Sequence, residues 1–461
     1  MRRLLLAASA FAFATPAIAA EAAGPWHEKG KEMLGTAIGI PSVTTRPDEV
    51  KKLVVWLKGE FEKGGFTDVS VKDYDGTQGL IVRWKADGKP KKKPILLIGH
   101  MDVVDAKPED WSRDPFKMIE EDGYLYGRGS TDMKSGIVAI THSLLRLKAE
   151  GFKPKRDIVV FFSGDEEVDG RGADLASTEW RKLVDAEFAL NADAGGGAYL
   201  KDGTSLGFSI QTSEKMYQSF SFTARNSGGH SSRPRPVNAI YDLAGALKRL
   251  EAHRFTPRLD ETTRGYFSFR EKHEKGPLGD AMRRWLANPN DGAAADAIEA
   301  DPTEVGMTRT RCVATRLEGG HADNALPQMA RATVNCRIFP GEDAKAIQAE
   351  LQQAAGSSVA VEPLGTSKPS PPSPLRADVM KAFTDAVHKR HPDAEIVPSM
   401  STGATDGLFF RSTGMPVYGV SGAWIVVPDD ERAHGRDERI PVKSFYEELD
   451  HWHDMVKALA G

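Results

Sequence analysis

The sequence predicts an α/β protein: a mixed, largely parallel sheet covered by helices, with a smaller α+β domain inserted into it. Two observations carry this. Short, continuous apolar runs alternate with helical stretches up to about residue 212 and again near the C-terminus, while the stretch between alternates apolar and polar residues like strands with one wet face. The 461-residue length exceeds what one compact core usually supports, so two domains are expected. The larger comprises 24–212 and 365–461, and the insertion spans 213–364.

In chain order, residues 1–19 read as a secretory signal peptide. Arg2 and Arg3 precede an apolar stretch from Leu4 to Phe13, and Ala17-Ile18-Ala19 forms an A-x-A cleavage pattern. The apolar stretch is too short to span a bilayer, so a periplasmic or secreted protein with no membrane attachment after cleavage is expected. Pro94 to Gly99 (PILLIG) is a run suited to a strand buried on both faces, as are Asp157 to Phe162 (DIVVFF) and Glu187 to Leu190 (EFAL). Between the first two lies a helix, Met133 to Glu150, with Ile137, Ile140, Leu144 and Leu147 as its apolar stripe, Asp132 at its N-cap and Gly151 at its end.

The insertion opens with Ser219 to Ala224 (SFSFTA) as a strand and Val237 to Ala252 as a helix. The charged, Ala-rich stretch 255–305 reads as helical and peripheral. Strands at 309–317 and 330–339 and a helix from Ala344 to Ala355 follow, before the Pro/Ser linker Ser367 to Pro374. A helix near Leu375–Lys389, a strand at Pro416–Val420 and a last helix with Phe445, Leu449, Trp452, Val456 and Leu459 on one face return to the first domain. Cys312 and Cys336 lie on strands able to pair; export permits a disulfide, and spacing alone leaves free thiols equally open.

The composition, 40% hydrophobic and 27% charged, is that of a globular protein, and the net charge of -4 argues against a nucleic-acid partner. The basic run Lys89 to Lys93 reads as a solvated turn.

The chemistry lies in residues just beyond the strands: His100-Met101-Asp102, Asp132, Glu166-Glu167, Asp193 and, far along the chain, His434. In open α/β sheets ligands gather at the carboxyl ends of strands. His100 and Asp102, two apart on an extended segment, point to one side, so Asp102 can orient the His100 ring. Asp132 is equally well explained as a plain helix cap or as a carboxylate bridging two cations. Adjacent Glu166 and Glu167 permit one to bind metal while the other takes a proton from water. Two imidazoles with three carboxylates are what a pair of zinc ions requires. In isolation each of these residues has a commonplace reading as a loop, cap or surface group; their order along the chain favours the metal.

HMDVV, the Trp111 to Phe116 segment, DGYLYGRGSTDMKSG, GDEE, NAD, GGHSS, NALP, NCRIFP and HGRDE occur in the order found in the clan MH, family 20 metallopeptidases. From about residue 30 onward the chain resembles this aminoacylase, carboxypeptidase G, carboxypeptidase S and carnosinase-like dipeptidase family, with 255–305 poorly covered. The resemblance implies a ferredoxin-like lid and dimerisation domain, two Zn2+ (Co2+ or Mn2+ being alternatives for one) and a homodimer. His100 and Asp193 would hold one zinc, Glu167 and His434 the other, with Asp132 bridging; Glu166 would be the general base and Asp102 the support of His100. His230 of GGHSS would reach the partner subunit's site. Asn324, Arg337, Gly403 and Thr405 would line the substrate pocket, Arg337 clamping a free carboxylate.

Aspartate at 193, where aminoacylases carry glutamate, resembles dipeptidases, aminotripeptidases and the carboxypeptidase S-like branch, which includes N-acyl-amino-acid hydrolases. The implied activity is exopeptidase cleavage of small peptides bearing a free carboxylate, with N-acyl-amino-acid hydrolysis as the alternative. An inactive binding protein of the same fold and a two-metal phosphoesterase are the rivals from other classes; no phosphate cradle supports the latter.

Overall fold

The computed structural model describes residues 24–461, so the predicted leader lies outside the described residues. Its centre is an eight-stranded mixed sheet. Four neighbouring strands run parallel in the order Ile158–Ser163, Ile95–His100, Phe188–Leu200, Val417–Val427. Beyond Ile158–Ser163 the antiparallel pair Thr77–Trp84 and Val69–Tyr74 completes one edge. Beyond Val417–Val427, Ser205–Glu214 runs antiparallel to it and pairs in parallel with the edge strand Ile396–Ser401.

Every residue of Ile95–His100 and Ile158–Ser163 is buried, which is why these stretches are continuously apolar. Alternate residues feed different layers. Ile95 and Leu97 pack with the helices Pro25–Ile38, Pro47–Lys63, Lys134–Ala149 and Val442–Ala460, whereas Leu96 and Ile98 face Ala173, Ala176 and Phe410 on the other side. Phe445, Leu449, Trp452 and Val456 of the last helix are fully buried, each worth roughly 1.5–3 kcal/mol of hydrophobic stabilisation. The helix after Asp132 differs from expectation at its start: Met133 is its N-cap residue and no side chain caps it. Gly151, at φ 76, ends it as foreseen.

From Met216 to Leu364 the chain forms a four-stranded antiparallel sheet in the order Arg311–Gly319, Met329–Ile338, Met216–Arg225, Val359–Leu364. Helices Ala239–Ala252 and Ala344–Ala355 cover one face. The strand–helix–strand–strand–helix–strand succession with this order is ferredoxin-like. Cys312 and Cys336 face one another across the first two strands and form a disulfide, which decides the question that spacing left open.

The stretch 255–305 is helical but not peripheral. Helix Glu261–His273 packs on the edge strand Ile396–Ser401 of the large sheet, and Phe267, Met282, Trp285 and Ile298 form a small core that also takes in Met400 and Phe339. A short amphipathic helix reads alike in sequence whether it covers its own neighbours or another unit's edge.

Candidate metal centre

His100 ends its strand with its ring buried. Nδ1 lies 2.9 Å from the Asp102 backbone carbonyl and 3.6 Å from that residue's carboxylate. Nε2 faces Asp132 Oδ1 at 3.2 Å, Asp193 Oδ1 at 3.6 Å and Glu166 Oε2 at 3.9 Å. His434 approaches from the opposite side, its Nε2 3.0 Å from Asp132 Oδ2 and 3.0 Å from Glu167 Oε2. Asp132 therefore presents one oxygen to each imidazole, which is a bridging disposition and not that of a helix cap.

Asp102 is fully buried and does more than orient a ring. Its carboxylate accepts the backbone N–H groups of Glu166 (3.1 Å) and Glu167 (3.1 Å) and the Thr44 hydroxyl (2.9 Å). One side chain thus fixes both the strand end bearing His100 and the turn bearing the glutamate pair.

The donor set fits metal cations. Among the described residues the ion pairs of Asp102, Asp132, Glu166, Glu167 and Asp193 are all with His100 or His434, and no lysine or arginine neutralises them. Buried negative charge of this density requires protons or cations. The ionisation of the group reflects it. Burial pushes Glu166 well up, helped by Asp193, Asp406 and Glu167 and opposed by His100. Burial likewise raises Asp193 against the pull of His100. Asp132 is held below the usual carboxylate range because hydrogen bonds from His100 and His434 outweigh its burial. His434 is raised to about 10 by Asp132 and Glu167. Two compact ligand groups result, His100–Asp132–Glu167 and His100–Glu166–Asp193.

The supports of this cluster include acidic groups that sequence reasoning passed over. Glu438 is fully buried and accepts Arg128 Nη1 (2.6 Å), Thr131 N (2.7 Å), Thr131 Oγ1 (2.9 Å), Asp132 N (3.0 Å) and Gly129 N (3.1 Å). Arg128 Nη2 returns a bond to the Gly435 carbonyl at 3.0 Å. The turn bearing Asp132 and the loop bearing His434 are thereby clamped together. Trp111 lies over the Arg128 guanidinium, and Ser112 donates to Asp437, so the Trp111 to Phe116 segment belongs to the same clamp. It holds His434 at φ 60, a left-handed conformation that costs free energy unless its surroundings enforce it. No local signal in HGRDE distinguishes Glu438 from a solvated residue; only its distant partners do. The glycines after Asp193 also have an unforeseen purpose. At φ 90 and 104, Gly195 and Gly196 let two strands approach, since added Cβ atoms would lie 2.7 Å from the Gly419 carbonyl oxygen and 2.6 Å from that of Ala423.

With this arrangement established, comparison with known proteins is informative. A sequence model of peptidase family M20/M25/M40 matches residues 96–458. The chain belongs to that family. An N-fatty-acyl-amino acid synthase/hydrolase from Xenopus tropicalis is 28% identical over 423 residues, covering 89% of this chain and 81% of that protein. A probable carboxypeptidase S-like protein from Dictyostelium discoideum is 29% identical over 391 residues, covering 82% and 74%. Among solved structures, an M20 metallo-carboxypeptidase from Sulfolobus solfataricus shares the fold with a TM-score of 0.70 at 18% identity, over 93% of this chain and 98% of that one. The family is one of metal-dependent hydrolases, and this chain is an enzyme of that class.

Of the remaining residues singled out in this M20 chain, only Thr405 is linked to the cluster, accepting Asn191 Nδ2 at 3.2 Å while Asn191 Oδ1 accepts Asp193 N at 3.1 Å. His230 is exposed on a two-residue strand, its Nδ1 accepting Ser232 N at 3.1 Å, which leaves Nε2 free. Asn324 is exposed beside it, accepting Ser231 N through its carbonyl. Arg337 stands on the four-stranded sheet with its guanidinium 4.8 Å from the Tyr217 ring centroid. Gly403 is exposed. Thr405 is buried, its backbone N–H and hydroxyl both bound to Glu214, which also pairs with Arg411 at 2.6 Å. No helix among the described residues is long and apolar enough to cross a membrane.

Proposed function

We propose that this M20 enzyme hydrolyses the amide bond of small substrates bearing a free carboxylate, with N-acyl amino acids as the preferred class. The observation that carries the reading is Asp132 shared between His100 and His434, with Glu166 held beside them. On this reading two zinc ions are held, one by His100 and Asp193, the other by Glu167 and His434, with Asp132 common to both. Co2+ or Mn2+ are alternatives for one. Bound there, they supply Lewis acidity that polarises the scissile carbonyl and makes water a nucleophile at neutral pH.

Glu166, as the carboxylate, accepts the water's proton and hands it to the departing nitrogen. Asp102 holds Glu166 in place through its backbone N–H. His230 from a second copy donates a hydrogen bond to the oxygen where negative charge develops. Arg337 pairs with the substrate carboxylate, and Asn324 and Gly403 border the same space, with Thr405 acting from behind through Glu214. Pairing of two copies is supported by the open edge strand Arg311–Gly319, which exposes Leu317, and by exposed Ile240 and Tyr241 on the helix Ala239–Ala252. The leader directs the enzyme to the periplasm or beyond the cell.

The relative named as an N-fatty-acyl-amino acid synthase/hydrolase favours acylated substrates. Peptide cleavage by the same residues is the second reading, favoured by the carboxypeptidase S-like relative. The test compares hydrolysis of N-acyl amino acids and dipeptides by the mature protein, with and without chelator. Turnover of the acylated series lost on chelation is expected; chelator-insensitive turnover, or none on any amide, overturns the reading.

A further inference from the structure

A cavity of about 970 Å³ is lined by Asp132 and Asp193 and by Tyr266, Phe269, Arg270 and His273 of helix Glu261–His273 in the insertion. Part of its wall is apolar, among hydroxyl-bearing residues such as Ser209 and Ser421. Leu200 and Leu206, 39% and 37% exposed, both line it, as do Ile425 and Val427, so apolar side chains gather on one wall. The helix end carries charges, but they are spent on one another: Arg270 pairs with Glu304 at 2.8 Å and Glu274 at 3.2 Å, the Tyr266 hydroxyl donates to Glu304 at 3.1 Å, and His273 meets Glu395 at 2.6 Å. Among the described residues no charge at that helix end is left free, and the other charged lining residues, Asp132, Asp193, Glu431 and Glu448, are all acidic, so the wall offers nothing to receive a carboxylate. Arg337 does not line the cavity, so the substrate carboxylate lies elsewhere and the cavity takes the other half of the molecule.

The wall is firmly placed. A Cβ on Gly265 would lie 2.9 Å from Pro398 Cγ, so the helix rests directly on the edge strand of the large sheet. One turn further on, Phe269 reaches the strand beginning at Ser205, where a Cβ on Gly207 would meet its Cζ at 3.4 Å. Phe269 and Leu206 therefore stand close together on the cavity wall, where the helix meets the strand.

We infer that the helical insertion is the specificity element of this site: Phe269 and Leu206 set the length of the uncharged, apolar acyl group the cavity accepts. The inference rests on the amide-hydrolase reading and adds to it a determinant outside the metal cluster. An acyl chain laid along Leu200, Leu206 and Ile425 gains burial with each methylene until it meets Phe269. Because that gain is about 0.8 kcal/mol per CH₂, kcat/KM should rise roughly fourfold per methylene and then level off.

The experiment measures kcat/KM for one amino acid acylated with acetyl, butanoyl, octanoyl and palmitoyl groups, on the full mature protein. Phe269→Trp should move the plateau to shorter chains and Phe269→Ala to longer ones. Leu206→Asp should lower the octanoyl-to-acetyl ratio at least tenfold. The ratio is read because partial unfolding scales all substrates alike, and melting temperatures check the fold. A flat chain-length dependence with the acetyl compound turned over overturns the inference and leaves the hydrolase reading intact. Ratios unchanged in all three variants do the same. No turnover of any member, nor of dipeptides, sinks the hydrolase reading itself.

Discussion

His100 and His451 are both fully buried imidazoles in the same sheet-and-helix body, and their surroundings treat a proton in opposite ways. At the strand ends Asp193, Asp102 and Asp132 raise His100 well above its ordinary value despite the cost of burial. On the buried face of the last helix, burial lowers His451 to about 3, with only the Val420 carbonyl, 3.0 Å from Nε2, as a hydrogen-bond partner among the described residues. His142 behaves like His451, lowered to about 4 by burial and bound to the Trp26 carbonyl. A histidine's role is thus written in its neighbours. Where carboxylates outnumber cations the ring sits in a field that draws positive charge, and where apolar groups enclose it the ring is a neutral structural donor.

The sharpest way to probe the acid-lined region is to remove one carboxylate that the proposed reading places off the metals. Glu166→Ala is expected to keep metal content, measured by atomic emission on dialysed protein, while kcat falls about 10²–10⁴-fold. Substantial turnover by a metal-replete variant would remove Glu166 from the mechanism. Next in size is His230, which belongs to neither class because it is exposed and, among the described residues, its ring is engaged only by Ser232. Its replacement by alanine should lower kcat about 10²–10³-fold, the typical effect of losing one oxyanion donor, with metal content unchanged. Mixing His230→Ala with Asp132→Asn subunits should restore activity if the histidine serves a neighbouring subunit. A mixture as inactive as its parts would confine the site to one chain.

Glu438 tests whether the acidic field also depends on buried support. Losing the clamp between the Asp132 turn and the His434 loop should weaken metal affinity about 10–100-fold, the scale seen for residues that orient ligands. Calorimetric titration of the metal-free Glu438→Ala protein with Zn2+ reads this directly, and Glu438→Gln should recover part of it. Unaltered affinity in a folded variant would reduce Glu438 to a local packing role.

The sequence made the strand ends legible because two local signals coincide there: continuous apolar runs for buried strands, and metal-binding residue types directly after them. Asp132 was ambiguous in principle, since a helix cap and a bridging ligand call for the same side chain, and the choice depends on His100 and His434, neither adjacent in sequence. Glu438, Glu214 and Asp406 lie in stretches rich in polar residues that read as solvated loops. Their burial follows from Arg128, Arg411 and Ser163, distant partners that no local pattern reveals. The stretch 255–305 was misread as peripheral for a related reason. Its periodicity marks helices but not the surface they cover, so Met400 and Phe339, which tie it to both sheets, could not be assigned to its core.

The smallest expected effect concerns the apolar-lined histidines. His451 is held neutral in the folded protein, while the unfolded chain takes up a proton near pH 6.5. Between that pH and about 3 the unfolded state binds more protons, so its share of the folding stability is present above pH 6.5 and lost as the pH falls. For one such group the slope is at most about 1.4 kcal/mol per pH unit. His451→Gln keeps an N–H for the Val420 carbonyl and removes the titration. Urea unfolding of both proteins at a series of pH values from neutral to mildly acidic should therefore show wild type losing ground to the variant as acid is added. Curves that stay parallel would mean that His451 is protonated without penalty in the folded state, and that burial on the inner face of the last helix does not separate it from His100 in the way proposed.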